Sequence, residues 1–519
     1  MLSKVYSARV VGLDAERIDV ECDAGPGQYA CVIVGLPDAS VQEARERVRS
    51  AIKNSGLSFP RGRVTVNLAP ADMKKQGASY DLPIALSMVL ADPDMRGVFS
   101  DAARAEVEKS TCVGELSLEG SVRAVAGAVA CAHAARTCGH DSIFVPQENA
   151  AEAALIDGIT IYPVPSLSAL IDHLVGVARL KPFAREVSEN ETFAQPPGGP
   201  LLSDLSCIKG QHHAKRALEI AAAGGHHILF SGPPGSGKTM LARVLPTLLP
   251  QLSFDEALEV TRIWSVAGKL SPSLPLIRER PFRSPHHSAS IASLVGGGST
   301  PSPGEITLAH RGVLFLDEFP EFPRSVIEAL RQPLEDGWVT ISRAQGSIKY
   351  PSRCQLVAAQ NPCPCGNRGS DRQECVCSAG AISMYQKRIS GPILDRIDMF
   401  VDVPAVDIEL LSSPGQGETS EIVRARIIKA RTCQTARLAV HHLRTNNEIP
   451  AHFLETFCEL KNEALAMMRT AAERLGLSAR SYARTLKVAR TIADLDESET
   501  IETGHIAESI QYRSQCREY

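Results

Sequence analysis

The sequence predicts a multidomain α/β protein: a mixed α+β N-terminal domain, a nucleotide-binding core with a parallel sheet, and a helical C-terminal domain. Three observations carry this reading. In the middle of the chain short apolar runs alternate with helical patterns, as buried parallel strands do. One run, His227-Ile228-Leu229-Phe230-Ser231, leads directly into Gly232-Pro233-Pro234-Gly235-Ser236-Gly237-Lys238-Thr239. That segment fits G-x-x-x-x-G-K-[ST], a phosphate-binding loop set between a strand and a helix. From about residue 406 onward strand signals stop and helical periodicity takes over, as in residues 420–437 and 481–495.

The elements follow in order. Residues 1–180 mix strands, such as Ala30 to Val34 and Arg63 to Asn67, with helices. Val41 to Ser55 places Val41, Ala44, Val48, Ala51 and Ile52 on one side of a helix, and a second helix is expected over Ala124 to Arg136. Residues 181–202 turn polar and contain Pro-Pro-Gly-Gly-Pro, which reads as an interdomain linker. Residues 203–405 form the core, with further buried strands at Val313 to Leu316 and Leu356 to Ala359. Residues 406–519 form the helical domain.

Bulk properties exclude several classes. The net charge of −4 gives no overall basic surface, so a nucleic-acid site must be a local patch. The first thirty residues lack the apolar run of a signal peptide, and no stretch approaches the roughly 18 apolar residues of a membrane span. Fourteen cysteines without an export signal point to the reducing cytoplasm, where clustered cysteines suggest metal before disulfide.

The expected nucleotide site is Gly232, Pro233, Pro234, Gly235, Ser236, Gly237, Lys238, Thr239 and Asp317, with ATP and Mg2+ as its ligands. The glycines let backbone N–H groups curl around phosphates, and the helix starting near Lys238 aims its positive end at them. Lys238 is expected on the β- and γ-phosphates and Thr239 on magnesium. The strand Val313 to Leu316 carries Asp317 toward that magnesium, directly or through water, and Glu318 toward the attacking water. Taken alone, such a strand also reads as one ending in an acidic turn. Asn361 follows the strand Leu356 to Ala359. An amide there orients water against the γ-phosphate, although Asn at a strand end is also a common turn former.

Cys363-x-Cys365 and Cys375-x-Cys377 place four cysteines within fifteen residues. Four thiolates suit tetrahedral zinc, although C-x-C is tighter than the usual C-x-x-C. The adjacent His286 and His287 are expected to face opposite ways in an extended segment, and so not to share a metal.

Long motifs then identify a family. Pro281-Phe282-Arg283-Ser284-Pro285-His286-His287, Gly296-Gly297-Gly298, Pro303-Gly304-Glu305, Leu308-Ala309-His310, VLFLDEFPEF, Leu330-Arg331-Gln332-Pro333-Leu334-Glu335, Asn361-Pro362-Cys363-Pro364-Cys365-Gly366 and residues 390–398 resemble the magnesium-chelatase-like AAA+ ATPases. The branch most similar is the ComM/YifB family, and the resemblance runs over nearly the whole chain. It implies an AAA+ core, usually a hexameric homo-oligomer with ATP sites between subunits, and a C-terminal helical lid. Arg396 then matches the arginine finger that reaches a neighbour's γ-phosphate, and Arg480 the sensor-2 arginine of the lid. Asn361 takes the water-orienting role. The stretch 281–310 resembles the helix-2 insert of this AAA+ branch. Trp338 to Tyr350, with a turn at Gln345-Gly346, resembles a hairpin that enters the ring's pore. Arg343 and Lys349 flank that turn and are the candidate DNA contacts; a solvated hairpin tip is the alternative.

The N-terminal domain resembles the ribosomal-S5-domain-2-like fold shared with Lon proteases. Ser79 lies where such a protease carries its nucleophile, but Arg123 stands where a lysine base is needed. Arginine is effectively never deprotonated, so no peptidase activity is expected. The resemblance implies a DNA motor, acting on branched or single-stranded DNA by ATP-driven branch migration during uptake of foreign DNA. A chelatase motor subunit and an ATP-dependent scaffold are the competing readings.

Overall fold

A computed structural model of the chain describes residues 2–28, 30–71, 75, 77–95, 97–184, 203–298, 301–343, 346–369, 373–405 and 417–514. The expected linker lies outside the described residues from 185 onward, as do Gln345 and residues 406–416. The chain forms two compact units, Met1–Pro197 with Phe254–Ile277, and Gly198–Ser253 with Arg278–Tyr519. No described helix is long and apolar enough to cross a membrane.

The first unit is built on a seven-stranded mixed sheet. Its strands are β1 (Leu2–Val11), β2 (Asp14–Gly25), β3 (Ala30–Val34), β4 (Arg63–Ala69), β5 (Ser110–Cys112), β8 (Ser142–Pro146) and β9 (Thr160–Val164), in the order β3-β4-β2-β1-β5-β8-β9. A short hairpin, β6 (Glu115–Leu116) and β7 (Val122–Arg123), stands apart. β1 and β2 are antiparallel, which brings Val5 opposite Val20 in the core. The expected strands β3 and β4 pair in parallel.

The first expected helix forms as Ala39–Asn54, capped by Asp38, whose carboxylate accepts the Val41 N–H at 2.9 Å. Val41, Ala44, Val48, Ala51 and Ile52 are all buried, as their spacing predicts. The second begins later than expected, at Ala128, because Gly127 adopts φ 80° and residues 122–123 form β7. A left-handed residue cannot continue a right-handed helix. Asp81–Ala91 forms a helix buried along its whole length. Asp81 at its start receives two hydrogen bonds from Arg47, at 2.9 and 3.1 Å.

The second unit holds a five-stranded sheet, parallel throughout: β10 (Ile228–Ser231), β11 (Phe282–Arg283), β14 (Val313–Leu316), β17 (Gln355–Gln360) and β18 (Met399–Asp402), ordered β11-β14-β17-β10-β18. Two antiparallel ribbons are added, β12 (Gly296–Gly297) with β13 (Ser302–Pro303), and β15 (Trp338–Arg343) with β16 (Gly346–Pro351). Phe230, Phe315, Val357 and Val401 from the strands share one core with Val423, Ile427, Val488, Ile492 and Tyr512 from the C-terminal helices Ser420–Leu438, Ala479–Leu495 and Thr503–Ser514. A second cluster within the helical region gathers Leu438, Ile449, Met468, Leu486, Ile501 and Ile506.

Candidate nucleotide site and four-cysteine cluster

In an open parallel sheet, ligands bind beyond the carboxyl ends of the strands, where the strand order reverses. β10 is that position, because β17 lies on one side and β18 on the other. The registers level the strand ends: Ser231 faces Gln360 on β17 and Asp402 on β18, and Leu316 on β14 faces Ala358. Three expected features therefore leave the sheet at one edge: the phosphate loop after β10, Asp317 after β14 and Asn361 after β17.

The loop's shape depends on its glycines. A Cβ at Gly232 would overlap the Val403 carbonyl, and Gly235 and Gly237 hold φ 77° and 91°. The helix Lys238–Leu248 starts immediately after Gly237, so its first N–H groups face the loop. Lys238 Nζ donates to the carbonyls of Gly232 (2.8 Å) and Pro233 (2.9 Å) and to Asn361 Oδ1 (3.3 Å). Burial holds its pKa below the ordinary lysine value, and the Asp317 carboxylate offsets only part of that. Thr239 Oγ1 donates to Asp317 Oδ2 at 2.9 Å. The site thus brings Lys238, Thr239, Asp317 and Asn361 together. Ser236 is buried and its hydroxyl has no hydrogen-bond partner among the described residues.

Glu318 sits differently. Its backbone is left-handed, φ 50° and ψ 45°, although it is not glycine. Such a conformation costs on the order of 1–3 kcal/mol and is concentrated at functional sites. The turn aims the Glu318 side chain outward, where its carboxylate lies 3.2 Å from His287 Nδ1. The sequence reading missed this pairing. It also placed His286 and His287 on opposite sides, whereas their ring centroids are 4.0 Å apart. The rings lie side by side, with His286 Nδ1 held by the Ser288 hydroxyl at 2.8 Å.

Arg396 and Arg480 converge on one carboxylate, Glu335. Arg396 is 6% exposed. It donates from Nε to Arg331 O (3.1 Å), from Nη1 to Pro392 O (2.7 Å) and from Nη2 to Glu335. Arg480 Nη2 lies 3.3 Å from the same carboxylate. A further hub escaped the sequence reading. Asp398 pairs with Arg484, accepts the His227 N–H at 2.8 Å and lies 3.8 Å from His226 Nδ1. It ties the entry of β10 to the helix Ala479–Leu495.

The β15–β16 ribbon closes at the Arg343–Gly346 pair, where the turn is expected, and residues 344–345 between them lie outside the described residues. Lys349 is exposed and faces Thr340 across the ribbon. In the first unit, Ser79 lies two residues before the buried helix Asp81–Ala91, with Tyr80 between them, and Arg123 on β7 lies 3.7 Å from Glu115.

The four cysteines do meet. The sulfurs of Cys363, Cys365 and Cys375 are 3.4 to 3.6 Å apart, and all four, with Cys377, lie within 4.8 Å of one another. Zinc–sulfur bonds of about 2.3 Å place tetrahedral ligand sulfurs about 3.8 Å apart. The Asn367 backbone N–H, with help from Cys363, pulls the Cys365 thiol down to about 6. Cys375 is instead pushed up and Cys377 up to about 12, their own backbone hydrogen bonds being outweighed by the neighbouring sulfurs of Cys363 and Cys365. The case for a metal therefore rests on the convergence of the sulfurs.

Three family models match the chain: magnesium chelatase, subunit ChlI, over residues 204–411; subunit ChlI of Mg-chelatase over 20–149; and the ChlI C-terminal model over 417–513. The protein YifB of Escherichia coli is 41% identical over 514 residues, covering 99% of this chain and 97% of its own. The competence protein ComM of Haemophilus influenzae is 42% identical over 523 residues, covering 99% and 98%. The magnesium-chelatase 38 kDa subunit of Rhodobacter capsulatus is 28% identical over 205 residues, covering 36% of this chain and 55% of its own.

Proposed function

The chain belongs to the magnesium-chelatase ChlI family, alongside ComM and YifB, and on that premise we propose that it is an AAA+ ATPase that works as a ring motor on DNA. The observation that carries the ATPase reading is the meeting of Lys238, Thr239, Asp317 and Asn361 at one edge of the parallel sheet. Lys238 now rests on loop carbonyls and Asn361, which are neutral acceptors, so a triphosphate offers it a better partner. Thr239 and Asp317 supply two oxygens, 2.9 Å apart, that suit magnesium, a hard cation. When bound, that ion neutralises phosphate charge. The loop N–H groups hold the phosphates, and Asn361 fixes the water that Glu318 polarises once His287 gives it up.

The DNA reading draws on the relationship to ComM, a competence protein, which extends over both units. In this reading the chain is a cytoplasmic protein that assembles into a hexamer. Residues 1–180 form the S5-like domain, 181–202 the linker, 203–405 the AAA+ core and 406–519 the lid. Arg396 reaches the neighbour's nucleotide, Arg480 serves the lid, and Arg343 and Lys349 meet branched or single-stranded DNA in the pore. Cys363, Cys365, Cys375 and Cys377 hold zinc. The work done is branch migration during natural transformation. A chelatase motor role has partial matches behind it, such as the Rhodobacter capsulatus subunit, which is aligned with 36% of this chain.

The test is ATPase rate with and without branched DNA, for wild type and Glu318→Gln. A DNA-stimulated rate that Glu318→Gln abolishes supports the motor. A rate indifferent to DNA, with no branched substrate moved, overturns the DNA reading and leaves the ATPase.

A further inference from the structure

We propose that zinc held by Cys363, Cys365, Cys375 and Cys377 braces the nucleotide site, setting the positions of Asn361 and the phosphate loop and so the rate of ATP turnover. This rests on the ATPase and zinc readings above, and deepens them by giving the metal a role in the chemistry.

The argument begins with the chain's path. β17 ends at Gln360, Asn361 follows, and Cys363 comes two residues later. The chain leaves the cluster at Cys377, and the helix Ala379–Gln386 begins at once. It is capped by Ser378, which accepts the Ala381 N–H at 3.2 Å. One ion on these four sulfurs therefore fastens both ends of the segment that joins β17 to that helix. The intervening residues, GNRGSDRQE, are polar and supply no apolar core of their own. Closing such a loop costs entropy, which metal ligation offsets.

The second step is contact with the phosphate loop. Cys363 to Gly366 forms a tight turn, in which the Gly366 N–H donates to Cys363 O at 3.0 Å. Gly366 has φ 81° and packs so closely that a Cβ there would lie 2.6 and 2.7 Å from the Pro234 ring and 3.8 Å from Asn361 Cγ. The turn that presents two of the thiolates is thus wedged between the phosphate loop and the water-orienting amide. Asn361 and Pro234 therefore sit within reach of any shift in the cluster. A displacement of about 1 Å at such residues costs on the order of a hundredfold in rate.

The experiment uses the full chain, purified without chelator. Wild type is expected to carry one zinc per chain by elemental analysis, released by a mercurial thiol reagent. Stripping the metal is expected to lower kcat about tenfold or more, while ATP affinity measured with a fluorescent nucleotide changes less than about threefold. Zinc added back restores the rate. Cys375→Ser/Cys377→Ser is expected to lose zinc and to ignore zinc added back. Gly366→Ala keeps all four ligands: it should retain zinc yet lose kcat, because its methyl group displaces Pro234. That variant tests the contact through which the metal acts, whereas the fall in kcat on stripping at nearly constant nucleotide affinity is the readout that a metal merely stabilising the fold would not give. Absence of zinc from gently purified protein overturns the proposal. So does zinc whose removal leaves kcat unchanged, although the ATPase reading then survives. Zinc-loaded wild type that binds but never hydrolyses ATP removes the ATPase reading, and the brace with it.

Discussion

Replacing Asp398 by Asn tests whether one buried carboxylate joins the nucleotide strand to the C-terminal helices. Asp398 is 2% exposed. Burial alone would raise its pKa. The Arg484 guanidinium, assisted by His226 and His227, outweighs that and holds the group well below the ordinary carboxylate value. Removing one partner of a buried pair costs about 3–5 kcal/mol, because the other charge is left unpaired. Arg484 keeps 18% of its side chain in water, which favours the lower end, about 3 kcal/mol. With a urea slope of about 3 kcal/mol/M, the transition should fall by about 1 M.

The chain has two tryptophans, Trp264 in the first unit and Trp338 in the second. A Trp264→Phe background therefore reports the second unit alone. The companion variant Asp398→Asn/Arg484→Met removes both charges and should recover most of the loss. The sign of the pH dependence follows from the depressed pKa. The stabilisation is present above the unfolded value of about 3.9 and is lost as pH falls through the lower folded value. The gap between wild type and Asp398→Asn should thus hold from pH 8 to about 5 and close in stronger acid. A midpoint shift under about 0.3 M, or a double variant no better than the single, would refute the reasoning.

Three other outcomes are expected. Lys238→Ala removes the only ammonium that bonds to the loop carbonyls among the described residues, and should weaken ATP binding by about a hundredfold in calorimetric titration. Thr239→Val keeps the shape but deletes the hydroxyl bonded to Asp317; ATP binding without magnesium should persist, while magnesium-dependent turnover falls about a hundredfold in a phosphate-release assay. Glu335→Gln frees Arg396 and Arg480 from a half-exposed ion pair worth about 0.5–1 kcal/mol, so turnover at limiting protein concentration should rise about two- to fivefold, whereas Arg396→Ala should abolish turnover and spare binding. A fall in rate with Glu335→Gln would count against that picture.

What was legible in the sequence is what local chemistry dictates. An apolar strand, three glycines and a lysine place the phosphate loop without knowledge of the rest of the chain. The spacing of Val41, Val48 and Ile52 places a helix face, and two C-x-C pairs announce the cluster. The remainder depended on long-range packing. Asp81–Ala91 is buried on every side, so it carries no amphipathic period to read. The delayed helix start at Ala128 turns on the backbone of a single glycine. Asp398 meets Arg484, and Glu335 gathers Arg396 and Arg480, across distances in sequence that no motif spans. Phe254–Ile277 lies between core segments in the chain yet packs with the first unit, through contacts such as Gly127 N–H to Ser265 O at 3.0 Å.

Arg396 shows most clearly how a motif and a structure say different things about the same residue. The motif assigns it to a neighbour's phosphate. In the single chain, three of its nitrogens are already engaged, two with backbone carbonyls and one with Glu335. If it acts on a neighbour, it must exchange those bonds for phosphate oxygens, and the exchange is favourable only where a triphosphate is bound next door. The carbonyl bonds are replaceable by water at small net cost, about 1 kcal/mol each. The third bond, to Glu335, is shared with Arg480 near the start of the helix Ala479–Leu495. Withdrawal of Arg396 by a neighbour would break only its own half of that contact and leave the Glu335 carboxylate to Arg480 alone, so the tie to the helix would be kept and tightened while Arg396 is engaged.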